Sequence, residues 1–283
     1  MGESPLPSVG LPPDVIFARP ITPPSLATPE APLTLPTLPR RAAVLGLGFV
    51  LLLLLAMVLV SGAVWLGFYA ITHATEPSDE ALVPLIAVDK WINAALTLGA
   101  LLFFARYHRL TLRAFGIRCD HAGRQAAWGL AALGGVYGAL LLSVVFTIVL
   151  VALWPELEPD LASRLRFLEL MSGGGFLGTV LMLVPVAIHE EILFRGLLMP
   201  LLHRLGGPWS VAVVISTLVF AALHVSQGWL AIPQVFLVGL ALSLFFLWSR
   251  SLLAVIVAHF LFDLLQLQLA QVMLPFMERA AGS

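Results

Sequence analysis

The sequence predicts an all-α protein, a polytopic transmembrane helical bundle of about seven spans, six to eight being compatible with the pattern. Three observations predict it. Hydrophobic residues make up 60% of the chain, where soluble domains hold roughly 45–50%. Mean hydropathy is +0.99. The apolar residues also fall into runs of about 20, the length that crosses the hydrocarbon core of a bilayer. A net charge of −1 gives no electrostatic footprint for nucleic acid. The single cysteine, Cys119, excludes an internal disulfide framework and a cysteine metal cage. In a polar loop it reads as a bystander.

Residues 1–40 read as a disordered, proline-rich cytoplasmic tail. Of the 20 prolines, 11 lie in residues 1–39, with no apolar run of the kind a cleaved signal peptide needs. Spacings such as Pro20 to Pro23 suit docking to an SH3-like partner, although a plain flexible extension explains them as well. Residues 41–160 hold the first spans, at roughly 43–71, 82–105 and 127–153. Asp89 and Lys90 interrupt the second. Either that span starts near Trp91, or the two charges pair inside the bundle. Residues 161–275 hold the remaining spans, at roughly 177–201, 209–229, 230–249 and 251–274. The polar stretch from Ser163 to Gly175 suits the membrane surface, and residues 276–283 read as a short C-terminal tail. Trp154, Trp209, Trp229 and Trp248 fall at span ends, as an interfacial aromatic belt does.

Arginine placement sets an orientation. Arg40, Arg41, Arg106, Arg109, Arg113, Arg118, Arg124, Arg204 and Arg250 fall on one side. The other carries Glu76, Asp79, Glu80, Glu156, Glu158 and Asp160, with Arg164, Arg166 and Arg279 against them. The N-terminus is therefore expected in the cytoplasm and the C-terminus outside, as in an integral protein of a bacterial inner membrane.

Span 4 carries His189-Glu190-Glu191-Ile192-Leu193-Phe194-Arg195. A charge near the bilayer centre costs roughly 2.5–3.5 kcal/mol even on the lenient insertion scale, so intramembrane charges mark functional sites. Glu191 and Arg195 are i and i+4 on a helix, acid first, the favoured order for an ion pair. Glu190 points about 100° away and finds no partner in its own helix. His189 has no assigned role beyond packing or a bond to a neighbouring helix. Phe220 and His224 are i and i+4 in span 5, and His259 and Asp263 repeat the spacing in span 7, where an acid can orient an imidazole. Glu190, His224 and His259 lie at similar depths, within reach of one another at ordinary helix tilts. One carboxylate and two imidazoles suit water activation, with His259 placed to stabilise an oxyanion.

The three elements Glu190-Glu191-x-x-x-Arg195, Phe220-x-x-x-His224 and His259-x-x-x-Asp263 together resemble the CPBP family of intramembrane proteases, which includes the CAAX endopeptidases. The resemblance covers residues 177–270. It implies a peptidase in which Glu190 and His224 activate water, His259 and the residue at 263 form the oxyanion site, and Glu191, Arg195 and Phe220 support them. The best-known members carry Asn where this chain has Asp263. An ionised carboxylate cannot donate to an oxyanion, so Asp263 is expected to orient His259 instead. The implied partners are a membrane-associated protein or peptide substrate and the lipid bilayer, with no cofactor required.

Two enzyme-independent readings compete, a proton-coupled transporter and a non-catalytic immunity or scaffold protein, because buried acids and histidines also build proton relays. Metal dependence is the nearest enzymatic alternative. His189-Glu190 begins like the His-Glu-x-x-His zinc motif, but position 193 is leucine. Glu190, His224 and His259 would be the ligands of a divalent metal such as zinc.

Overall fold

The structure, a computed structural model, describes residues 35, 37–73, 79–118, 120–157, 167–171 and 173–281. The proline-rich tail up to residue 34, Cys119 and the first residues of the polar stretch from Ser163 lie outside these. Among the described residues every regular element is helical. Helix α1 is Arg40–Thr72, α2 Asp79–Tyr107, α3 Ala122–Leu153, α4 Gly175–Arg204, α5 Trp209–Ala222, α6 Ala231–Ser249 and α7 Leu252–Ala281. Six are long and apolar enough to cross a membrane, and α5 is a shorter apolar helix of 14 residues. The protein is a polytopic helical membrane protein. Side chains such as Leu45 and Leu51 on α1, and Leu141 and Ile148 on α3, stand exposed on the outside of the bundle. That surface faces lipid tails as readily as the core faces itself.

The helix ends follow from local chemistry. Arg250 takes the left-handed conformation after α6, and its N–H bonds the Phe246 carbonyl at 2.7 Å. The Ser251 hydroxyl then accepts the Ala254 N–H at 3.1 Å and caps the start of α7. Gly116, with φ +81°, turns the chain under Phe246, and its carbonyl accepts the Leu252 N–H at 2.8 Å. A β-carbon there would sit 2.7 Å from the Phe246 ring.

Helix α4 is the centre of the bundle. Half of its apolar window is buried, against 39% or less in the other long spans. It packs chiefly on α2 and α7, while α6 packs on α5 and α3, and α3 on α7. At Gly129 the α3–α7 approach is close enough that a β-carbon would lie 2.5 Å from the Ala254 carbonyl oxygen.

Two prolines shape α4. Pro185 has no N–H, so the Leu181 carbonyl loses its helical partner; Trp91 Nε1 of α2 donates to it instead, at 3.0 Å. Pro200 likewise leaves the Gly196 carbonyl without its helical N–H. Just before it, Ile192–Leu198 widens into a π-helix, and the Met199 N–H reaches back five residues to the Phe194 carbonyl. Nothing in the apolar periodicity of span 4 foretells this widening. Such segments often sit at functional sites.

The second span is complete. Its apolar run extends over Ala81–Tyr107, with Asp89 and Lys90 inside it, their side chains paired at 3.1 Å. The expectation for the fifth span needs correction, because the helix stops at Ala222 and does not run on to residue 229. The His224 N–H bonds the Ala221 carbonyl, three residues back. That leaves the Phe220 carbonyl free to accept from His224 Nδ1, at 2.7 Å. The helix thus ends on its own histidine. Helix α7 runs on to Ala281, beyond the apolar span that ends at Met273.

Candidate active site

The bundle holds an open-sided cavity of about 450 Å³ lined by residues of α1, α2, α4, α5, α6 and α7 and by residues 167–171. His189, Glu190, His224, His259 and Asp263 all border it. The two acids of α4 face different surroundings. Glu191 is wholly buried, and the Glu190 side chain keeps 15% of its surface open.

Glu191 and Arg195 form the pair that their spacing predicts, with Arg195 Nη1 donating to Glu191 Oε1 at 2.9 Å. The rest of the guanidinium is also satisfied. Nη2 donates to the Gly239 carbonyl at 2.8 Å and Nε to Ser243 Oγ at 3.2 Å. Its carbon lies 4.8 Å from the centre of the Phe220 ring. Thr217 Oγ1 and Ser243 Oγ stand 3.3 Å apart and complete the network between α5 and α6. The motif reading missed Gly239, Ser243 and Thr217. The four-residue spacing of Gly239 and Ser243 was the available signal, because paired small residues let transmembrane helices approach closely.

Glu191 also does something that its pairing with Arg195 does not require. His259 Nδ1 lies 2.7 Å from the same Oε1. Asp263 Oδ2 lies 3.3 Å from the other ring nitrogen, Nε2. Asp263 thus contacts His259 at the predicted spacing, and Glu191, a fully buried acid, makes a second and shorter contact at the other nitrogen. Asp263 borders the face of the ring that looks into the cavity.

Glu190 has no arginine or lysine among its close partners. His224 Nε2 lies 3.9 Å from its Oε1, His259 Nε2 3.8 Å from its Oε2, and His189 Nε2 4.0 Å from Oε1. These separations exceed a direct hydrogen bond and match groups bridged by a water. His189 Nδ1 bonds the Pro185 carbonyl at 2.8 Å, within its own helix and not a neighbouring one. Both His189 and His224 donate from Nδ1 to a carbonyl, so in the neutral ring each presents Nε2 as an acceptor. Phe220 packs against both outer imidazoles, its ring centre 4.6 Å from that of His224 and 6.3 Å from that of His259.

Glu190, His224 and His259 are the donor set a zinc ion would need. Among the described residues, however, no group of three His, Cys, Asp or Glu side chains is arranged to hold a metal.

Residues 172–265 match the family model of the type II CAAX prenyl endopeptidase Rce1-like proteins. That stretch, about a third of the chain, is similar to the CAAX endopeptidases of the CPBP family. The CPBP match takes in α4, α5, α6 and the part of α7 that carries His259 and Asp263, and leaves α1–α3 outside it. A relative is the sporulation-killing factor biosynthesis protein SkfC of Bacillus subtilis (strain 168), 26% identical over 144 residues. The alignment covers 50% of this chain but 28% of SkfC, so the chain spans well under half of that relative's length. No solved structure matches.

Proposed function

We propose that the chain is an intramembrane endopeptidase that hydrolyses a peptide bond of a membrane-associated protein or peptide, with Glu190 as the base. The carrying observation is the division of labour on α4. Glu191 Oε1 is bonded by Arg195 and His259, while Glu190 faces the cavity with imidazole nitrogens 3.8–4.0 Å from its oxygens. The CPBP match supports the same reading.

In this scheme a water donates one hydrogen to Glu190 and the other to His224 Nε2. Glu190 takes the first proton as the water oxygen attacks the carbonyl carbon. His259, held at Nδ1 by Glu191, donates from Nε2 in its imidazolium form to the developing oxyanion. Such preorganised donors usually supply the largest catalytic contribution. Glu190 then returns its proton to the leaving amine as the C–N bond breaks. Asp263 sits beside His259 Nε2 and stabilises the imidazolium rather than the oxyanion. The scheme requires no metal. In this reading the protein sits in a bacterial inner membrane with a cytoplasmic N-terminus, which the arginine asymmetry supports.

The test uses purified protein in proteoliposomes with a fluorogenic transmembrane peptide. Glu190→Gln is expected to lower kcat by about 10²–10⁴-fold, the range of a lost general base, with thermal unfolding unchanged. Chelators are expected to leave the wild-type rate intact. Cleavage by the Gln variant at the wild-type rate, or chelator loss restored by zinc, would overturn the scheme.

A further inference from the structure

The wall of the cavity supplied by α1, α2 and residues 167–171 lies outside the three histidine and glutamate motifs. It is apolar, with Met57, Trp65, Ile86, Phe167 and Met171 among its residues. One ion pair interrupts it. Asp89 and Lys90 both border the cavity, on the helix that packs against α4.

The two charges are held differently. Asp89 is buried, and its Oδ1 accepts from Ser61 Oγ of α1 at 2.6 Å and from Asn93 Nδ2 at 3.0 Å. Its Oδ2 lies 3.1 Å from Lys90 Nζ. Asp89 is thus fixed to α1 by bonds that do not involve Lys90. The lysine side chain is 32% open, whereas that of Asp89 is 5% open. An ammonium carries three donors, and Asp89 occupies one of them. A pair meant only to join α1 to α2 has no need to turn an ammonium onto a cavity. The Ser61, Asn93 and Asp89 contacts already make that junction. A charge kept inside a membrane bundle is costly and marks a ligand path.

We infer that Lys90 is a specificity-determining residue of the cavity, binding a carboxylate of the peptide substrate while Asp89 positions it. The inference rests on the proposed peptidase activity. It names the substrate class as peptides with a carboxylate close to the scissile bond and apolar residues beside it. That carboxylate is either the free C-terminus or an acidic side chain, since an ammonium recognises both alike.

The experiment measures kcat and KM in proteoliposomes for three versions of one cleaved membrane peptide. One has a free C-terminus and an acidic residue, one is C-terminally amidated, and one has the acidic residue changed to its amide. The wild type is expected to show a KM about tenfold or more higher for one of the two neutralised peptides, as loss of a charged hydrogen bond implies. Which one identifies the source of the carboxylate. In Lys90→Met the difference collapses to a ratio near one, with the change in KM rather than kcat, and Lys90→Arg keeps it. The double variant Asp89→Asn/Lys90→Met removes both charges while retaining the Ser61 and Asn93 contacts, so it answers the question if Lys90→Met fails to fold. Equal KM values for all three peptides in the wild type, or an undiminished difference in the double variant, would overturn the inference. If the wild type cleaves none of them while well folded, the peptidase reading is what fails.

Discussion

At the scale of single residues, the separation of Glu190 from Glu191 is the central fact. Adjacent acids on a helix look equivalent in a sequence, yet only Glu191 meets Arg195, because four residues complete one turn. Arg195 in turn bonds Glu191, Gly239 and Ser243. Removing one partner of a buried pair leaves the other charge uncompensated, at a cost of about 3–5 kcal/mol. Arg195→Met is therefore expected to lower the unfolding free energy by about that amount. Glu191→Gln keeps a carbonyl oxygen toward Arg195 and His259 but leaves the buried guanidinium without its counter-charge, so it is expected both to lower stability and to slow turnover. Thermal unfolding in detergent alongside turnover separates the two. An Arg195→Met protein that melts like the wild type would contradict this account of the pair.

At the scale of elements, much was legible and the exceptions have local causes. The apolar runs located the six long helices, and the four-residue spacings located Glu191–Arg195 and Phe220–His224. The end of α5 was not legible, because it depends on the His224 imidazole taking the Phe220 carbonyl from the helix ladder. Nor was the π-helical turn at Ile192–Leu198, which an average over apolar character cannot register. The contact of Glu191 with His259 joins positions 68 apart, so no local spacing could announce it. The crossing of α6 over α5 gives a prediction at this scale. A β-carbon at Gly239 would stand 3.0 Å from the Phe220 ring and 3.2 Å from Thr217. Gly239→Val is expected to cost about 1–3 kcal/mol through overpacking. Gly138→Ala on α3, where nothing lies within 4 Å, is expected to be tolerated. Equal melting temperatures for the two variants would show that the α5–α6 crossing is looser than its contacts indicate.

At the scale of the whole molecule, the proposed orientation, with α5 counted as a seventh crossing, would put the start of α1 and the end of α7 on opposite sides of the membrane. A C-terminal alkaline phosphatase fusion is expected to be active and a C-terminal green fluorescent protein fusion dark. The reverse result would remove the assigned orientation. The bundle also divides by origin. Glu190 and its histidines come from the stretch matching the CPBP family, whereas Asp89, Lys90, Trp91 and the apolar wall come from outside it. The bond from Trp91 to the Leu181 carbonyl crosses that division. A backbone group left bare in lipid costs several kcal/mol, so the matched stretch leans on α2 for one donor. A chimera that inherits Pro185 needs some group to answer the Leu181 carbonyl, as the Trp91 indole does here.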